Sequence, residues 1–97
     1  MSNFTTRIEL FDGAVNEDYD KLNEEMAKQG FRKRVQMPGQ PVYQLPTGEY
    51  NFNEDFYSAT QVVEMAKTAA NTTGKKFSVL VTKADGNREW YNLEVAN

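Results

Sequence analysis

Arg32-Lys33-Arg34 is a basic run in a chain of 97 residues whose formal net charge is −3. In an extended strand, alternation sends Arg32 and Arg34 to one face and Lys33 to the other. Joined by Arg7, the two arginines could track phosphates across an open sheet, with Phe11, Tyr43 or Tyr50 offering a ring for a base to stack on. The same charges would also keep an edge strand from pairing with other chains. Glu9 is predicted to share a face with Arg7. In metal-free RNA cleavage a carboxylate can take the 2′-hydroxyl proton while an arginine stabilises the developing phosphorane charge. An Arg7–Glu9 ion pair across the strand face, worth under ~1 kcal/mol, is the plainer alternative. Asp12, where the first strand ends, could hold a divalent ion or orient a nucleophile. Asp12-Gly13 also fits ordinary turn chemistry. Lys75-Lys76 is well placed beside the C-terminus of a helix.

What is missing narrows the chemistry further. The chain has no histidine and no cysteine. The commonest general base near neutral pH and the commonest metal ligand are thereby excluded. Catalysis would need Asp, Glu, Lys, Arg, Tyr, Ser or Thr, and a metal site would need oxygen ligands. No Walker loop, GxGxxG, HExxH or nucleophile elbow is present. Neither KFSVLV nor EYNF matches the aromatic motifs of RNA-recognition domains. No cofactor or metal is therefore expected. The acidic balance argues against a strongly nucleic-acid-binding surface overall, although a local patch outweighs the sum. No run approaches the ~18 apolar residues of a membrane span. MSNFTTRIEL has neither a basic nor an apolar leader region, so a soluble cytoplasmic protein without membrane contact is expected.

The elements that must position these residues are legible from period and punctuation. Residues 4–11 alternate as a first strand, with Phe4, Thr6, Ile8 and Leu10 on the core face. A helix is predicted over 16–29, capped by Asn16 and stopped by Gly30, with Tyr19, Leu22 and Met26 as its apolar stripe and Glu24–Lys28 as a charge pair. Residues 31–37 form a second strand in which Lys33 interrupts the apolar face. A third begins at Val42, breaks over 46–48 at Pro46 and resumes through Phe52. A second helix is predicted over 58–73, with a Ser58/Gln61 capping box and an alanine-rich face that can lie close to a sheet. From Phe77 a strand runs to an Asp85-Gly86 turn and returns through Val95 as a hairpin. Trp90 and Tyr91 then point to opposite faces, leaving one exposed.

The resulting order, β-α-β-β-α-β-β, predicts one α+β domain spanning 1–97. It fits a ferredoxin-like β-α-β-β-α-β sandwich with an extra C-terminal strand, an antiparallel sheet covered on one face by two helices. Arg7, Glu9, Phe11, Arg32, Arg34, Ser78, Leu80 and Thr82 fall on the bare face.

FTTRIEL, DYDKLNEEMAKQGF, YQLPTGEYNF, AKTAANTTGKKFSVLVT and the closing WYNL together span nearly the whole chain. They resemble the endoribonuclease antitoxins of type V toxin–antitoxin systems, the GhoS family. The resemblance implies a ferredoxin-like fold and cleavage of a toxin messenger RNA, with Arg32 and Arg34 as expected RNA contacts. It carries over no catalytic residue. The alternative expectation is a non-catalytic interaction module that forms a homodimer through its sheet, motivated by the terminal hairpin.

Overall fold

The computed structural model describes residues 3–36, 39–84, 93 and 95. Its elements are β1 (Asn3–Leu10), α1 (Asn16–Lys28), β2 (Arg34–Val35), β3 (Tyr43–Gln44), β4 (Glu49–Phe52), α2 (Ala59–Asn71) and β5 (Phe77–Ala84). β1 is central. It pairs antiparallel with β4 from Phe4↔Phe52 to Arg7↔Glu49, and with β5 from Asn3↔Ala84 to Leu10↔Phe77. The strand order is β4-β1-β5, and β2 and β3 form a separate antiparallel ladder. Arg32 and Asn51 link the two by exchanging backbone hydrogen bonds of 2.8 and 2.7 Å.

The alternation of β1 sorts its side chains as expected. Phe4, Thr6, Ile8 and Leu10 are buried, while Arg7 and Glu9 are exposed. Phe4, Ile8 and Leu10 share one cluster with Leu22 and Met26 of α1 and with Val62, Ala66, Ala69 and Ala70 of α2. Both helices therefore lie on one side of the sheet. Small alanine side chains let α2 approach closely. Thr6 is the polar exception in this layer. Its hydroxyl is buried without a hydrogen-bond partner, and an orphaned hydroxyl costs free energy. Thr6→Val keeps the shape and removes the group. We expect a gain of about 1 kcal/mol, read as a higher urea midpoint at unchanged slope.

Local signals set the helix ends, with two corrections. Ser58 and Gln61 form the expected capping box, at 2.7 and 3.1 Å. For α1 the N-cap is Val15, not Asn16. Asp18 reaches back to accept from the Val15 N–H at 2.9 Å, which satisfies the donor a capping side chain would leave open. At the other end Gly30 adopts φ +96°, and the Phe31 N–H closes onto the Met26 carbonyl at 3.0 Å. The helix-face charge pair also differs. Lys28 lies 2.7 Å from Glu25 rather than pairing with Glu24, and Lys21 approaches the same carboxylate at 3.7 Å.

The expected second strand is shorter, and the expected third is two strands. Pairing shifts from Arg32↔Asn51 to Arg34↔Gln44, with Leu45 still donating to the Lys33 carbonyl at 2.8 Å, so residues 46–48 bulge out of the ladder. This is the break expected at Pro46. The expected turn at Asp85-Gly86, with Trp90 and Tyr91, lies outside the described residues. Val95 forms an antiparallel bridge with Tyr43, which places that residue beside β3.

Candidate nucleic-acid interface

Strand pairing decides where each arginine goes. Arg7 projects from the helix-free face of β1 between its cross-strand neighbours Glu49 and Leu80. Its guanidinium lies 3.9 Å from the Glu49 carboxylate, with the arginine side chain 67% exposed. Cross-strand neighbours sit closer than residues two apart on one strand. The ion pair therefore forms with Glu49, not Glu9. At that exposure it is a weak pair that leaves the arginine free to meet a solvent ligand. Glu9 stands opposite Ser78. Leu80, Ser78 and Thr82 are exposed on the same face, as expected.

Arg32 and Arg34 sit elsewhere. Arg32 is bridged to Asn51, which in turn faces Thr5 of β1. With strands ~4.8 Å apart and ~3.4 Å per residue, the Arg32 and Arg7 Cα atoms are about 12 Å apart. Arg34 pairs with Gln44 at the margin of the fold. Both arginines are exposed. Together with Lys33 they line an open cleft of about 280 Å³ against Asn23 and Ala27 of α1, with Phe31 and Tyr50 completing its walls. Arg32 and Arg34 are thus brought together, while Arg7 lies on the sheet's central strand.

Lys33 is the residue whose role the sequence disguised. Its ammonium sits 5.3 Å from the centre of the Tyr50 ring and donates to the carbonyls of Leu45 and Pro46 at 3.4 and 3.0 Å. It fastens the start of the 46–48 bulge to the strand. Burial of the ammonium lowers its pKa from 10.5, opposed by the carboxylate of Glu49. Tyr50 is 1% exposed, and its hydroxyl donates to Asn23 Oδ1. Burial drives that hydroxyl's pKa well above its ordinary 10.0, with a smaller push from Tyr19.

These two groups act oppositely in alkali. The fold keeps the Tyr50 proton where the unfolded chain releases it. Its stabilisation is complete below the ordinary value of 10.0 and is lost as pH rises above it, by about 1.4 kcal/mol per unit. The Lys33 shift works the other way. Between its lowered pKa and 10.5 the unfolded chain holds more protons, so stability rises with pH there. Tyr50→Phe should flatten the alkaline loss and cost about 1 kcal/mol near neutral pH by deleting the bond to Asn23. Urea unfolding at neutral and alkaline pH measures both effects.

Asp12 adopts φ +60° and Gly13 φ +69°, which is the backbone of a turn. The Lys75 ammonium donates to the Asp12 carbonyl at 3.3 Å. Among the described residues no group of three or more acidic side chains is close enough to hold a metal ion, and no helix is long and apolar enough to cross a membrane. No protein-family model matches the chain, and no curated protein or solved structure matches it.

Proposed function

We propose that this chain is a small RNA-interacting protein of ferredoxin-like topology, of the kind its sequence resembles: an endoribonuclease antitoxin. The fold reading is supported by the order β4-β1-β5 and by the Arg32–Asn51 bridge, which adds the lead-in of β2 beside β4. The functional reading rests on one observation. Arg7, Arg32 and Arg34 are all exposed, Arg7 on the helix-free face and Arg32 and Arg34 at the cleft beside α1, despite a net charge of −3. A phosphate backbone crossing from the central strand to the cleft would meet each guanidinium in turn. Exposed Phe11 and Leu80 give the same side apolar contact for a base.

The test is a gel shift and cleavage assay on structured and AU-rich RNA, with and without Mg²⁺, at low and moderate salt. Binding should weaken as salt rises. Each arginine replaced by glutamine should lower the log–log salt slope by about 0.7. No shift and no cleavage at low salt would end the RNA reading. An unchanged slope in the Arg32→Gln/Arg34→Gln variant would move the interface away from these residues.

The homodimer reading places a second copy on the sheet. Leu80 is the one large apolar side chain exposed on the described part of β5, and Arg7, Glu9, Ser78 and Thr82 surround it. Among the described residues that face is mixed, which suits a nucleic acid, and the terminal strand that motivates the dimer lies outside them.

A further inference from the structure

Phe56 breaks two rules at once. It is fully exposed, and its φ is +71°. A bulky side chain in left-handed backbone is an outlier that persists only where something requires it. Burial within the subunit does not require it, because the ring touches solvent all round. Its neighbours Glu54 and Asp55 are exposed and acidic, so the loop presents an aromatic knob on a negative base.

The cleft beside α1 has complementary features. It carries Arg32, Lys33 and Arg34 at its rim and Ala27, Phe31 and Tyr50 on its walls. Its volume of about 280 Å³ exceeds what one aromatic ring needs, since a cavity of about 150 Å³ accepts benzene. A cluster of rings inside the fold joins Tyr57, the residue after Phe56, to the walls of the cleft. Tyr57 stands edge-on to Phe52 at 5.2 Å, Phe52 lies 5.0 Å from Phe31, and Phe31 lies 6.5 Å from Tyr50. A two-fold axis relating two copies would let each give its knob to the other's cleft, and exchange of both contacts at once closes the assembly.

We propose that two copies of this chain associate through a two-fold interface in which the 54–56 loop of each inserts Phe56 into the 32–34 cleft of the other, with Glu54 facing Arg32. The occupant is a second copy because acidic loop and basic cleft are complementary in charge and belong to the same chain. Phe56 is the anchor, and the charged rim sets orientation and makes association salt-sensitive. The interface does not depend on the RNA reading, although it would cover Arg32.

Sedimentation equilibrium of the full chain without RNA, over rising concentration and at low and moderate salt, tests this. The native chain should approach twice the monomer mass at high concentration, less readily in added salt. Phe56→Asn should stay monomeric over the same range. It should also melt at a higher temperature, because asparagine accepts positive φ. That gain separates lost association from a damaged fold. Glu54→Arg and Arg32→Glu should each weaken association by at least about tenfold, and the double variant should recover most of it. A native chain that remains monomeric throughout overturns the proposal, as does a Phe56→Asn chain that associates like the native one. Failure of the double variant to recover overturns the Glu54–Arg32 pairing.

Discussion

Gly48→Ala will destabilise the protein by about 4 kcal/mol, a large share of what a domain of this size has. Gly48 adopts φ +82°, and a Cβ built there falls 2.4 Å from the carbonyl oxygen of Ile8. That oxygen belongs to the backbone of the central strand and cannot swing aside like a side-chain tip. The Gly48 carbonyl also accepts from the Ile8 N–H at 2.7 Å, so moving the loop breaks a hydrogen bond inside the sheet. Conformational strain alone contributes about 1–2 kcal/mol, and the forced backbone shift supplies the rest. The melting temperature should fall by about 20 °C. Gly13→Ala is the control. Its φ is +69°, but a Cβ there meets nothing within 4 Å. It should lose only about 1 kcal/mol. Equal losses at the two positions would show that the Ile8 contact contributes nothing.

Phe52→Ala should cost about 4 kcal/mol by urea unfolding. The Phe52 ring is 2% exposed and packs within 5.0 Å of Phe31, 5.2 Å of Tyr57 and 6.2 Å of Phe4, centre to centre. It also crowds Gly30, where a Cβ would lie 3.3 Å from its edge. Truncation removes the transfer free energy of the ring and leaves a hole bounded by strand backbone and other rings, which collapse poorly. Phe52→Leu, which refills most of the volume, should cost less than half as much. A loss below about 2 kcal/mol for the alanine variant would mean that the surrounding rings collapse to fill the hole.

Several features of the fold are legible in the sequence. The period-2 pattern of residues 4–10 names the buried face of β1 residue by residue. Ser58 and Gln61 mark the start of α2, and Gly30 marks the end of α1. Pro46 marks the bulge that divides β3 from β4. Each of these is written in residues a few positions apart, because a strand's alternation, a cap and a broken ladder are local events.

Partner choice is not legible in the same way. Glu9 and Glu24 were reasonable partners for Arg7 and Lys28 by spacing. The partners found are Glu49, delivered by a strand some forty positions away, and Glu25. Lys33 interrupts an apolar row in the sequence, and the turn from β3 into the 46–48 bulge brings two carbonyls to it. Asn16 looked like a cap, yet Asp18 serves the Val15 N–H instead.

By itself the sequence determined an α+β chain with two amphipathic helices, the buried face of its first strand and the exposure of Arg7, Arg32 and Arg34. Those follow from short-range sterics and from the need to remove apolar side chains from water. Only the tertiary structure decided that Arg32 and Arg34 rim a cleft while Arg7 lies on the middle strand, that Lys33 is held within the fold, and that Phe56 is held out in solvent on strained backbone. Each depends on the register between distant segments. Register is selected by the summed packing of many residues, and no single stretch of the chain contains that sum.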